Sequence, residues 1–271
     1  MAGLIHPQAQ IDPSARLGSG VRVGAGAVIG ADVEIGPDCE IGPGAQVHGP
    51  TRMGKENRIF PLACVGFDPQ DLKHHGERTE LVLGDRNTVR ELATLNRGTA
   101  FGGGVTRIGD DNLFMAYSHV GHDSQVGSRT VFTNGATLAG HVEVDDDATI
   151  GAMSAVHQFC RVGRHAYIGG FSVITLDALP FARTVGQKPL CYGVNRIGLE
   201  RKGYTAEGIR AIERAFRILL RSGKNTTQAL DELRALAAPG PDVEYLIAFV
   251  AASKRGVIKA KRAGARGAGA D

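Results

Sequence analysis

Tryptophan is absent from the 271-residue chain, and tyrosine and phenylalanine number only 5 and 10, so bulky rings cannot build its core. Cysteine is scarce. Cys39, Cys64, Cys160 and Cys191 lie far apart with no C-x-x-C spacing, which argues against a zinc ribbon or a disulfide framework and for a reducing, cytoplasmic setting. No run approaches 18 apolar residues and no charged-then-apolar leader opens the chain, so neither a membrane span nor a secretory signal is expected. Glycine is abundant instead: 38 residues, about twice average usage. The glycines lack a period of three, which excludes collagen, and the 42% hydrophobic content, mostly aliphatic, disfavours disorder. This composition suits a repeating aliphatic architecture.

The net charge of +3 is an uneven sum. Residues 201–271 hold 14 Lys/Arg against 7 Asp/Glu, so the last quarter is basic and the rest slightly acidic. Nucleic acid, anionic lipid and an acidic protein are all compatible with that.

Aliphatic residues or Phe recur at every sixth position from Ile5 to Val65, from Leu83 to Leu95 and from Ile108 to Ile174. The residue four places later is often small, as at Ala15, Ala27, Ala45, Ala63, Ala136, Ala148 and Ala166. This predicts a parallel β-helix of hexapeptide strands. Three hexads close a coil of 18 residues, and coils stack at about 4.8 Å; the repeat does not reveal the hand. The pauses at 66–82 and 97–107 are too long for turns and are expected to project as loops. Residues 175–200, with Pro180 and Pro189, read as an irregular connector. Helical periodicity begins at the N-cap Thr205, with Ile209, Ile212, Phe216, Leu219 and Leu220 on one face. Further helices are expected at 226–237 and from Pro241 to about 253. The fold class is therefore mainly β: a β-helix over 1–190, a small helical domain over 191–255, and a disordered basic tail over 256–271.

Reduced modulo 18, His122, His141 and His157 fall at 14, 15 and 13, so three imidazoles stack along one edge in successive coils. His119 lies a few residues round, and Gly140 and Gln158 share the phase of His122. Two chemistries use such a cluster: a metal site, or a general base with hydrogen-bonding companions. Asp123 beside His122 favours the base, since a carboxylate fixes the tautomer and stabilises the imidazolium. Gly140, one coil on, offers an unshielded N–H as an oxyanion donor. Gly170 falls near a different edge. Arg210, Arg214, Arg217 and Arg221 form one basic stripe opposite the apolar face of the helix after Thr205.

The segments HVGHD at 119–123, LAGHV at 138–142 and AVHQFCRVG at 155–163, set in the hexapeptide run, resemble the UDP-N-acetylglucosamine O-acyltransferases. The loop PQDLKHHGE at 69–77 and the connector GVNRIGLERKGY at 193–204 are similar to the same family, over about residues 5–258. The resemblance implies a left-handed β-helix and a cytoplasmic homotrimer. It implies transfer of an (R)-3-hydroxyacyl group from acyl carrier protein to the 3-hydroxyl of UDP-N-acetylglucosamine, the first step of lipid A biosynthesis, with no cofactor. By resemblance His122 is the general base, Asp123 its supporting carboxylate and Gly140 the oxyanion donor. Asp71 and Lys73 meet the sugar and phosphates. His119, His141, His157 and Gln158 line the sugar and acyl sites, and Asn195, Arg201 and Lys202 the nucleotide site. Gly170 limits acyl length, and the stripe Arg210, Arg214, Arg217 and Arg221 docks the acidic carrier.

The chain departs from the family pattern at four places: Ile197 stands where Glu is frequent, Lys202 where Arg is, Asn96 where His is and Ala152 where Gly is. Three alternatives stand beside this reading: a metal-dependent trimer resembling γ-class carbonic anhydrase, the related N-acyltransferase of the same pathway, and a non-catalytic scaffold. The first usually separates its ligand pair by four residues, where His119 and His122 are separated by two. The second normally carries an extra N-terminal domain.

Overall fold

The computed structural model describes residues 5–236, 238 and 240–260. Each hexad becomes a two-residue strand and a tight turn, and strands 18 residues apart pair in parallel, as Gln10 with Val28 and Val131 with Thr149. Three parallel sheets form the walls of a prism. Sheet I has nine strands from Gln10–Ile11 to Val173–Ile174, sheet II eight from Arg16–Leu17 to Arg161–Val162, and sheet III ten from Arg22–Val23 to Leu190–Val194. The second residue of each pair points inward, and the aliphatic series from Val23 to Ile174 is buried. Burying a Val, Leu or Ile side chain contributes about 1.5–3 kcal/mol each, so stacking coils supplies the stability no single coil has. The Phe114 and Phe132 rings stack inside at 4.9 Å. Asn57, Asn87 and Asn112 form a buried ladder in which each Nδ2 donates to the preceding side-chain oxygen or to a turn carbonyl, satisfying polar groups that sealing the prism would otherwise strand.

The three edges differ in chemistry although their turn residues share one left-handed backbone conformation. Edge III/I carries Leu62, Leu92, Tyr117, Met153 and Phe171 at φ between 54° and 62°, all exposed. Edge II/III carries Arg86, Asp111, Arg129, Asp147 and His165 in the same conformation. Edge I/II carries Asp123, His141 and Phe159. Both interruptions of the repeat leave from edge I/II, after Cys64–Phe67 and after Thr94–Asn96, in the two coils that precede His122.

The connector is more regular than the sequence suggested. Ala182–Val185 adds another parallel strand to sheet III, and Leu190–Val194 pairs antiparallel with it. The buried Thr184 takes the inward place opposite Ile168, which hid this strand from an aliphatic repeat. Sheet III therefore runs past residue 190. Helix α1, Arg196–Arg201, is capped by Asn195 and is too short to show periodicity. Helices α2, Ala206–Arg221, α3, Thr226–Arg234, and α4, Pro241–Ala251, follow, with the Thr205 cap and apolar face as expected. α4 docks on the last coils: Arg161 stacks on Phe249 at 4.1 Å, Arg164 stacks on Tyr245 at 3.9 Å and pairs with Asp242 at 2.7 Å. Residues 256–260, assigned above to a disordered tail, return to the prism. Val257 bridges to Asp177 and Ile258 is buried, because two β-branched residues interrupt the Gly/Lys-rich composition. Residues 261–271 lie outside the described residues.

Candidate active site

His122 and Asp123 occupy the turn between the sheet I strand His119–Val120 and the sheet II strand Gln125–Val126. Asp123 adopts φ 60°, which turns its side chain beneath the preceding loop, where it is fully buried. The carboxylate accepts from His122 Nδ1 at 2.8 Å, from the Thr99 N–H at 2.9 Å and from the Thr99 hydroxyl at 2.7 Å. Its own N–H donates to Thr106 Oγ1. Burial alone would push this carboxyl up, but the hydrogen bonds from His122 and Thr99 outweigh it and hold the group below the usual aspartate value. With Nδ1 committed to a carboxylate, Nε2 is the nitrogen left to face outward, and the ring retains 15% exposure.

Gly140 packs directly on that ring. A Cβ there would lie 2.3 Å from His122 Cε1 and 2.5 Å from Nε2, so any side chain would displace the imidazole. The Gly140 N–H makes no hydrogen bond among the described residues. His141, in the left-handed turn of the same coil, donates its N–H to the His122 carbonyl at 2.9 Å. Its ring meets His122 edge-on at 5.1 Å and stacks on Phe159 at 4.6 Å. His119 stands on the adjoining strand, bonded through Nδ1 to Thr94 Oγ1 at 2.7 Å; burial, aided by His122, holds it below the usual histidine value.

The structure thus brings His122, Asp123, Gly140 and His141 together, with His119 beside them. His157 and Gln158 lie one coil on, exposed. Asp71 and Lys73 sit in the loop 68–79, where the Lys73 N–H bonds Asp71 Oδ1 at 2.9 Å; among the described residues neither pairs with the histidine cluster. Buried Arg97 ties this loop to the second one, donating to the Gly66 carbonyl at 2.9 Å and to Asp68. Asn195, Arg201 and Lys202 line a separate cavity of about 740 Å³ over α1. Gly170 is exposed on edge III/I, and a Cβ there would meet only Ala152, at 3.2 Å or beyond. Arg210, Arg214, Arg217 and Arg221 face solvent.

Thr99 escaped sequence reading, although the pause at 97–107 marked its loop. Gly102 belongs with it: a Cβ at Gly102 would lie 2.1 Å from Asp123 Cγ, so the loop closes on the carboxylate only because that position is bare. His122, Asp123 and His141 each offer a ligand atom within 4.8 Å of the others, the spacing of a metal triad. The carboxylate oxygens, however, are already engaged by three donors.

A stacked-coil prism with a carboxylate–imidazole pair on its edge defines the class: hexapeptide-repeat transferases. A family model described as UDP-N-acetylglucosamine O-acyltransferase, domain 2, matches residues 177–258. An acyl-[acyl-carrier-protein]–UDP-N-acetylglucosamine O-acyltransferase of Alkalilimnicola ehrlichii is 50% identical over 73% of this chain and 77% of its own. Among solved structures, the UDP-N-acetylglucosamine O-acyltransferase of Moraxella catarrhalis superposes with a TM-score of 0.92 at 37% identity, covering 95% of this chain and all of that one. The Arabidopsis UDP-N-acetylglucosamine acyltransferase superposes at 0.81 with 31% identity, covering 94% of this chain and all of that one. The chain belongs to the UDP-N-acetylglucosamine O-acyltransferase family, and its prism is a left-handed parallel β-helix.

Proposed function

We propose that the chain moves an (R)-3-hydroxyacyl group from acyl carrier protein to the 3-hydroxyl of UDP-N-acetylglucosamine, opening lipid A biosynthesis, with His122 as general base. The observation that carries the mechanism is the clamped pair: Asp123, fixed by Thr99, holds His122 Nδ1–H and leaves Nε2 to accept a proton. Nε2 removes the proton of the acceptor hydroxyl as its oxygen attacks the thioester carbonyl. The Gly140 N–H, one coil on, receives the developing oxyanion. Collapse expels the carrier's thiolate, which takes the proton back from the imidazolium. Asp123 favours that imidazolium without itself becoming protonated. Replacing His122 with Ala is expected to abolish turnover while the fold survives; retained activity would place the base elsewhere.

Two surface features support a homotrimer. The outward residues of sheet I (Gln10, Val28, Gln46, Cys64, Thr94, His119, Thr137, Ala155, Val173) include no carboxylate, Lys or Arg, whereas sheet II presents Arg16, Glu34, Arg52, Arg107, Glu143 and Arg161. The exposed apolar ridge on edge III/I adjoins that uncharged face. Such packing sets edge I/II of one copy against edge III/I of the next, so His122 and Gly170 share one groove. Gly170 there leaves room for a long acyl chain, and a larger side chain would shorten the preferred one.

Asp71 and Lys73 on the loop, with His119, His141, His157 and Gln158 along the edge, serve the sugar and acyl groups. Asn195 and Arg201 serve the nucleotide, while Lys202, which the resemblance sets beside them, is held by Asp147. On α2, Arg210, Arg214, Arg217 and Arg221 make no ion pair among the described residues, which suits docking of an acidic carrier. Reversing the charge of Arg214 and Arg217 is expected to raise KM for the acyl carrier substrate alone. No described helix is long and apolar enough to cross a membrane, and four free thiols suit the cytoplasm. The metal reading rests on the triad His122, Asp123 and His141; stoichiometric zinc in purified protein, lost in His122→Ala, would favour it.

A further inference from the structure

The cavity over α1 holds more positive charge than the chain itself neutralises. Five basic side chains line it: His165, Arg183, Arg196, Arg201 and Lys202, with the carboxylate of Asp147. Arg196 is taken by Glu200 at 2.9 Å and Glu213 at 3.4 Å. Lys202 Nζ donates to Asp147 Oδ1 at 2.6 Å. Asp147 is itself 9% exposed and also held by Arg129, so this pairing is a partly dry one. His165 stacks on Phe181 and meets Tyr204 edge-on, and burial favours its neutral form. Arg183 and Arg201 remain, and neither makes an ion pair among the described residues.

Their placement gives the surplus a direction. Thr149, Tyr167 and Arg183 are successive outward residues of sheet III, so Arg183 and Tyr167 line the same cavity wall, with the Arg183 guanidinium also 6.0 Å from the Tyr192 ring on the next strand. Tyr167 and, from α1, Ile197 present exposed apolar surface in the same cavity. Flat apolar walls with two unpaired guanidinium groups fit a heteroaromatic ring carrying phosphates.

We propose that Arg183 is an anion-binding residue of the acceptor site, receiving with Arg201 the diphosphate of the nucleoside diphosphate sugar, while Lys202 is a structural tie held by Asp147. This rests on the reading above that the acceptor is a UDP-linked sugar. A guanidinium with no carboxylate partner among the described residues meets phosphate without breaking an ion pair, and the Tyr192 ring beside Arg183 leaves its N–H groups free to donate. Lys202 would have to leave Asp147 and uncover a carboxylate facing the ligand. The ties at both ends of α1, Lys202 to Asp147 and Asn195 Nδ2 to the His165 carbonyl at 3.1 Å, instead fix the wall on which the base rests.

Calorimetric titration of the full-length protein with UDP-N-acetylglucosamine, UDP and uridine tests this. Arg183→Gln is expected to weaken both diphosphates by about tenfold or more and uridine by less than about twofold, Arg183→Lys to recover part of the loss, and Lys202→Gln to cost less than Arg183→Gln. Unchanged UDP binding by Arg183→Gln, an equal loss for uridine, or a larger loss from Lys202→Gln overturns the proposal. Failure of the parent protein to bind UDP-N-acetylglucosamine overturns the acceptor reading itself, and the proposal with it.

Discussion

Edges I/II and II/III of the prism have the same backbone and opposite chemical fates. On edge II/III the left-handed turn residues from Arg86 to Asp147 alternate in charge and consume one another: Arg86 pairs with Asp111 at 2.7 Å, Arg129 with the neighbouring Asp146 at 2.7 Å and with Asp147 at 3.1 Å, and Lys202 closes the ladder on Asp147. On edge I/II the same conformation at Asp123 sends a carboxylate under a loop, where Thr99 and His122 satisfy it. One edge is a solvated ion ladder, and the other keeps a histidine nitrogen free. The difference lies in the loops. Edge I/II is interrupted twice just before the histidines, and the second interruption supplies both the hydroxyl that orients the carboxylate and the bare Gly102 that lets it close.

That contrast can be broken at its strongest point first. Asp123→Asn keeps the shape but removes the charge that stabilises an imidazolium, and kcat is expected to fall by about 10²–10⁴; steady-state turnover with nucleotide KM measured alongside checks it. Gly140→Ala drives a Cβ into the His122 ring, and a loss on the order of 10² in kcat is expected from misplacing the base by about 1 Å. A variant with parental kcat would show that the ring does not need that position. Thr99→Val removes one donor from a buried carboxylate, at a cost of about 1–3 kcal/mol. Thermal unfolding should register the loss together with a modest fall in kcat.

Two smaller effects sharpen the comparison. His119, His165 and His48 are each held below the usual histidine value, chiefly by burial. The unfolded chain therefore binds protons before the folded one does, and stability present above about pH 6.5 declines as pH falls through the lowered folded values. A Tm that holds level from pH 7 to pH 5 contradicts this. Arg86→Gln, on the exposed ion ladder, should leave Tm and kcat within measurement error, because water and salt screen such pairs. A clear drop in Tm would mean the ladder is structural in its own right.

Much of this was legible in the chain. The hexad spacing of Ile29, Val47, Val65 and their successors predicts the prism, and arithmetic modulo 18 places His122, Gly140 and His141 on one edge. The Thr205 cap and the apolar face from Ile209 to Leu220 predict α2. The extra strand at Ala182–Val185 escaped because Thr184 fills the inward place. Residues 256–260 escaped because Val257 and Ile258 are too few to outweigh a Gly/Lys-rich stretch. Thr99 escaped because nothing in a loop sequence tells which carboxylate it will meet 24 positions later.

The periodic core, the three-sided coil and the edge on which the histidines stack follow from residue order alone, because burial of one aliphatic residue per hexad admits little else. The aromatic-poor composition belongs to the same constraint, since a narrow prism with a turn every hexad leaves little room for rings. Which charges remain available depends instead on the folded arrangement. His122 keeps Nε2 because Thr99 and Asp123 fix Nδ1, Lys202 is withdrawn by Asp147, and Arg183 has no carboxylate partner among the described residues. Spacing can set residues side by side, but hydrogen-bond partners and access to water, which govern reactivity, follow from how loops and helices close over the coils.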